Sequence, residues 1–124
     1  MKSFKHNNGW LYAEGVCVEE LALKHGTPLY IYSRGHLQAQ YRALVSAMRA
    51  VKPLICFSVK TNTNAAVIGA FAKLGAGADV VSGGELFRAL RAGVPASKIV
   101  FAGVGKTASE IDFALRQDIR FFTV

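Results

Sequence analysis

Cysteine, proline and histidine are scarce in this 124-residue chain, with two, three and three residues respectively. The two cysteines, Cys17 and Cys56, stand far apart among apolar neighbours and show neither CxxC nor metal-ligand spacing. That excludes a disulfide framework and fits free thiols in a reducing compartment. His6, His25 and His36 are isolated from one another, so no zinc constellation is visible and no metal is expected. No apolar run approaches the roughly 18 residues of a membrane span. The N-terminus carries a basic residue but no continuous apolar core, which argues against a secretory signal and favours the cytoplasm. Acidic side chains are also few, 8 against 15 basic, for a formal charge of +7. The basic residues are scattered, at Lys24, Arg34, Arg42, Arg49, Lys60, Lys73, Arg88, Arg91 and onward, with no basic run and no basic helix interleaved with stacking aromatics. A nucleic-acid surface is therefore not supported, and small anionic ligands suit the same balance. What remains, 52% hydrophobic and 19% charged, describes one modest globular domain.

The first 16 residues read as a polar lead-in around Asn7-Asn8-Gly9, followed by Trp10-Leu11-Tyr12. Val18 to His25 has the charge pattern of a short helix, with Glu19 and Glu20 at its start, Lys24 and His25 at its end and Gly26 beyond. Pro28 precedes an extended run, Leu29-Tyr30-Ile31-Tyr32, that suits a strand buried on one face. Ser33 is a cap for an amphipathic helix to about Arg49, carrying Leu37, Tyr41, Leu44, Val45 and Met48 on one side. After Pro53 the pattern changes. Leu54–Lys60, Ala78–Val81, Lys98–Ala102 and Ile119–Val124 read as strands. Between them lie helices that begin at Asn64, at the Ser82/Glu85 pair and at the Thr107/Glu110 pair, the last two with capping-box spacing. Apolar strands alternating with helices predict an α/β fold with a parallel sheet, either open or closed as a barrel. A fourth strand with no following element leaves a parallel edge uncovered, so the chain is expected to be a portion of a larger protein.

Four positions draw attention as chemistry. Alternation along the first strand puts Leu54, Cys56, Ser58 and Lys60 on one face and Ile55, Phe57 and Val59 on the other. Lys60 thus sits at the C-terminal end, where parallel sheets bind ligands, and a lysine desolvated there can serve as a Schiff-base amine. A lysine merely snorkelling at a strand end is the plainer reading. Asp79, at the start of the next strand, either faces a cation supplied by Lys60 or is an exposed turn residue. Ser82-Gly83-Gly84-Glu85 is a strand-to-helix turn whose N–H groups suit an anion, although it is neither GxGxxG nor a Walker loop. Glu85 has a local role as the acidic half of a cap. Gly103 and Gly105 before Lys106 form a second loop of this kind, with Lys106 either solvated or a phosphate ligand.

The string Cys56-Phe57-Ser58-Val59-Lys60-Thr61-Asn62-Thr63-Asn64 resembles the barrel-type pyridoxal-phosphate decarboxylases of ornithine, arginine and diaminopimelate. Gly75 through Leu86 and Val100 through Thr107 extend the likeness. So do Gly9 through Glu14 and Gly26 through Ser33, which tilt it toward the diaminopimelate branch. The resemblance spans essentially the whole chain. It implies a partial (β/α)8 barrel over residues 34–124, comprising its first four strands. Residues 1–33 would associate with a β-rich domain. It also implies pyridoxal 5'-phosphate as cofactor and an amino-acid substrate, with diaminopimelate converted to lysine and carbon dioxide. Lys60 matches the lysine that carries the cofactor, Asp79 the acidic residue near it, and Glu85 a glutamate lining the pocket. Asn62 is a lesser pocket candidate, and Thr61 departs from the alanine common after the lysine. Family members supply a ring-stacking histidine, a glycine-rich phosphate segment and a glutamate for the pyridine nitrogen from later sequence. A cysteine segment comes from the partner subunit of a homodimer with shared active sites. None of these motifs occurs here, so the chain alone is expected to be inactive. Ornithine, arginine or carboxynorspermidine as substrate is the alternative within the family, and a non-catalytic half-barrel regulator is the alternative outside it.

Overall fold

The computed structural model describes residues 3–124, so the first two residues of the polar lead-in lie outside the described residues. Two compact units divide the chain, Met1–Arg42 and Ala43–Val124.

In the first unit, β1 (Phe4–Asn7), β2 (Trp10–Ala13) and β3 (Val16–Cys17) form an antiparallel meander in that order. The expected polar lead-in is therefore a β-hairpin. Asn8 and Gly9 have φ of 48° and 83°, and Asn7 pairs with Trp10, so a two-residue turn with both central φ positive joins β1 to β2. Asn-Gly favours such a turn because both residues tolerate left-handed backbone. Glu14 and Gly15, at φ 55° and 112°, repeat the device between β2 and β3. Helix α1 spans Val18–His25, as the charge pattern predicts, with acidic residues in its first turn and basic ones in its last. Leu29–Tyr32 forms no strand, and Tyr30 is 84% exposed. The run pairs with none of the three described strands of this unit, so its apolar and aromatic content misleads. Helix α2 (Arg34–Ala47) begins at Ser33, whose Oγ accepts from the His36 N–H at 3.0 Å, and it ends two residues before the expected Arg49.

The second unit is a four-stranded parallel sheet, β4 (Cys56–Ser58), β5 (Gly77–Val80), β6 (Ile99–Phe101) and β7 (Phe121–Phe122), in sequence order. Helices α3 (Ala65–Ala72), α4 (Gly83–Arg91) and α5 (Ala108–Arg116) connect them. The strand-helix alternation read from the sequence is thus present, with strand ends shortened by one or two residues, except that β5 starts one residue earlier. One face of the sheet carries Ala78, Val80, Ile99 and Phe101, all fully buried with Val59, Leu86, Ala89 and Ala114 in a single core. Alanines at 78, 89 and 114 let helices approach the sheet closely, and large side chains fill the space between. Phe57 stacks on Phe71 of α3 with ring centroids 4.6 Å apart, so the Phe57/Val59 face lies under the helices as predicted. Cys56, Ser58, Asp79 and Val100 occupy the opposite face and remain partly accessible.

Candidate active site at the strand ends

Lys60 does not extend β4. The strand stops at Ser58 and the chain turns through a single 3-10 turn, Val59–Thr61. Thr61 Oγ1 donates to the Ser58 carbonyl at 2.7 Å, and the Asn62 N–H donates to the Val59 carbonyl at 3.0 Å, which closes the turn. Val59, with no exposed surface, pins the turn into the core. Its neighbour Lys60 is exposed at the C-terminal end of the strand and makes no hydrogen bond or ion pair among the described residues. Asn62 shapes the next step: its Oδ1 accepts from the Asn64 N–H at 3.0 Å, and Asn64 in turn caps α3 through the Ala66 N–H.

Asp79 lies inside β5 rather than in a turn, paired in register with Ser58. Its Oδ2 accepts from Ser58 Oγ at 3.0 Å. The carboxylate is thus held by a strand neighbour, and no ion pair joins it to Lys60; among the described residues the one salt bridge is Arg116–Asp112 on α5. Asp79 also acts on Cys56, the inner-face residue before Ser58. Burial pushes the Cys56 thiol above its ordinary value, the Asp79 charge adds to this, and Arg120 opposes it. Gly77 completes this face. A Cβ there would stand 2.3 Å from the Lys98 carbonyl oxygen and 2.8 Å from Cys56 Sγ, so only glycine fits.

The β5–α4 turn differs in detail from the expected capping box. Ser82 Oγ accepts from the Glu85 N–H at 3.2 Å, as a cap should. The Glu85 carboxylate, however, reaches past Ser82 and accepts from the Val81 N–H at 2.9 Å. The reciprocal box occurs at α5, where Thr107 and Glu110 satisfy each other. Sequence reasoning missed a further contact. The second oxygen of Glu110 accepts from the Gly83 N–H at 2.7 Å, across 27 residues. That N–H, expected to face an anionic ligand, is taken by a side chain. Lys106 is not freely solvated. Its Nζ donates to the Gly103 and Thr123 carbonyls at 2.5 and 2.6 Å and lies 5.8 Å from the Phe101 ring centroid.

Glu14, also missed from the sequence, sits in the first unit at the β2–β3 turn. It accepts from Ser33 Oγ and, at 2.6 Å, from the Gly35 N–H at the start of α2. These bonds hold its carboxyl below the ordinary value.

An exposed primary amine at the end of one strand and a carboxylate anchored on the next are the donor set an aldehyde cofactor requires. The residues at these strand ends fit pyridoxal phosphate in that sense. Comparison with known proteins points the same way. Residues 34–124 match the family model for the pyridoxal-dependent decarboxylase, pyridoxal binding domain. The chain is 48% identical over its full length to diaminopimelate decarboxylase of Pseudomonas fluorescens, and to that of Haemophilus influenzae to the same degree. It spans about 30% of the length of each of these relatives. The crystal structure of the M. jannaschii diaminopimelate decarboxylase with L-lysine superposes with a TM-score of 0.94 at 38% identity, over 98% of this chain and 30% of that one. The parallel sheet and its helices are part of a (β/α)8 barrel, and the chain belongs to the pyridoxal-dependent decarboxylases, with the pyridoxal binding domain in residues 34–124.

Proposed function

We propose that the protein carrying this chain decarboxylates meso-2,6-diaminopimelate to L-lysine and carbon dioxide with pyridoxal 5'-phosphate, as a cytoplasmic homodimeric enzyme of lysine biosynthesis with shared active sites. Residues 34–124 supply the start of the barrel and residues 1–33 associate with the β-rich domain. The observation supporting this most directly is the exposed Lys60 amine at the C-terminal end of β4, one strand from the Ser58-anchored Asp79. The 48% identity to diaminopimelate decarboxylases favours this substrate over ornithine, arginine or carboxynorspermidine.

Lys60, Asp79, Glu85 and Asn62 are the residues that would hold the cofactor. When bound, it supplies an electron sink for the pair left behind as the carboxylate departs. The chain's own residues provide orientation and charge. Lys60 offers a nucleophilic amine held outward by its buried neighbour Val59. Asp79 places negative charge on the neighbouring strand, which stabilises a protonated nitrogen in its vicinity. Ser58 fixes the rotamer of that carboxylate, Glu85 fixes the β5–α4 turn through Val81, and Asn62 fixes the turn that follows Lys60. The test is carbon dioxide and lysine release from meso-diaminopimelate by the intact protein. Lys60→Ala is expected to lower the rate by several orders of magnitude with the fold retained. Equal rates for the two proteins, or turnover of ornithine in preference to diaminopimelate, would contradict the reading.

A further inference from the structure

Glu110 makes more contacts than a helix cap needs. A capping-box glutamate returns its carboxylate to the N-cap backbone, and one oxygen suffices for that. Here Oε2 receives both the Thr107 N–H at 3.0 Å and the Thr107 hydroxyl at 2.9 Å. Oε1 crosses to the neighbouring βα unit and takes the Gly83 N–H at 2.7 Å. Gly83 is the first residue of α4, whose N–H has no partner within its own helix. The fit is mutual: a Cβ on Gly83 would lie 3.2 Å from Glu110 Cγ, inside ordinary contact, so the carboxylate reaches the backbone because position 83 lacks a side chain. The three bonds hold the Glu110 carboxyl below its ordinary value, with the Gly83 contribution the largest.

We propose that Glu110 is a positioning residue for the cofactor site, its carboxylate clamping the β5–α4 turn to the start of α5 and thereby setting where Asp79 and Glu85 stand. The turn is short enough for this to matter. Asp79 precedes Val81 by two residues, Val81 gives its N–H to Glu85, and Ser82 caps α4 through Glu85. Glu85 holds the turn from within, and Glu110 holds it from the next unit of the barrel. Releasing the Gly83 end leaves the Ser82 cap intact but frees the turn to shift relative to β6. The cofactor half of the proposal rests on the pyridoxal-phosphate reading; the clamp itself does not.

The experiment uses the intact protein and four variants. Glu110→Ala removes the clamp and the carboxylate half of the capping box, Thr107→Ala removes the cap hydroxyl and leaves Gly83 bonded, and Gly83→Ala crowds the clamp while sparing Glu110. Amide exchange of the 81–86 segment, measured without cofactor, is expected to accelerate about tenfold in Glu110→Ala and Gly83→Ala, the scale of one lost hydrogen bond to a charged acceptor. Thr107→Ala should leave it nearly unchanged. Absorbance titration with pyridoxal 5'-phosphate should show the same order, with dissociation constants raised about tenfold in the first two variants and less than about twofold in the third. Glu110→Gln, which keeps one acceptor oxygen, should fall between. Unchanged exchange in Glu110→Ala, or cofactor affinities equal in Glu110→Ala and Thr107→Ala, would overturn the proposal. A wild-type protein that takes up no pyridoxal phosphate would instead overturn the functional reading and with it the cofactor half of the proposal, leaving exchange to decide the clamp.

Discussion

Cys56, Ser58 and Gly77 carry no chemistry of their own, yet they define the wall on which Asp79 is mounted. Asp79 and Cys56 share the accessible face of the sheet, and the Asp79 charge helps hold the thiol protonated. Replacing Asp79 with asparagine removes that charge and lowers the Cys56 pKa, because the neutral amide no longer disfavours the thiolate. Cys56 should therefore react faster with a thiol reagent at a fixed mildly alkaline pH; an unchanged rate would show that burial alone sets the thiol. Gly77 meets a backbone oxygen, which cannot rotate away as a flexible side chain would. Gly77→Ala is expected to cost about 1–3 kcal/mol in urea unfolding, the range for overpacking a filled site. Neither effect was legible in the sequence. The close contacts of Gly77 and the reach of Asp79 both depend on the register of β4 against β5 and on where β6 begins.

At the scale of elements, the parallel sheet and its helices were readable because two independent signals agree. The strands are short continuous apolar runs, and α3, α4 and α5 each begin at an N-cap side chain, Asn64, Ser82 and Thr107, that accepts from the first turn. The β1–β2 hairpin was not read because all four residues of β1 are exposed and show no alternation, although Asn8-Gly9 marks the turn. Leu29–Tyr32 failed in the opposite sense, since apolar content without a strand partner does not make a strand. The clamp from Glu110 to Gly83 was invisible because the capping box already explained Glu110 locally. Its titration gives the element-scale prediction. The folded pKa lies below the unfolded one, so the contribution of Glu110 to stability is present above the unfolded value and is lost as pH falls through the folded one. Urea midpoints of wild type and Glu110→Gln should differ at neutral pH and converge in acid. A difference that persisted in acid would mean that the ionised carboxylate is not what holds the turn.

For the whole molecule, Lys60 at the C-terminal end of a parallel strand was readable from alternation, and its role came from the surrounding string rather than from spacing. Its seat in a 3-10 turn, and the way Asp79 is tied to Ser58 instead of to Lys60, were not readable, because both depend on how β4 and β5 end side by side. The chain carries eight lysines, so covalent attachment at one particular lysine is a discriminating outcome. The most direct test is to load the intact protein with pyridoxal 5'-phosphate, reduce it with borohydride, digest it and map the modified peptide. The expected result is a single pyridoxyl group on Lys60, absent when Lys60 is replaced by alanine. Modification of Lys106, or of any lysine other than Lys60, would contradict the assignment.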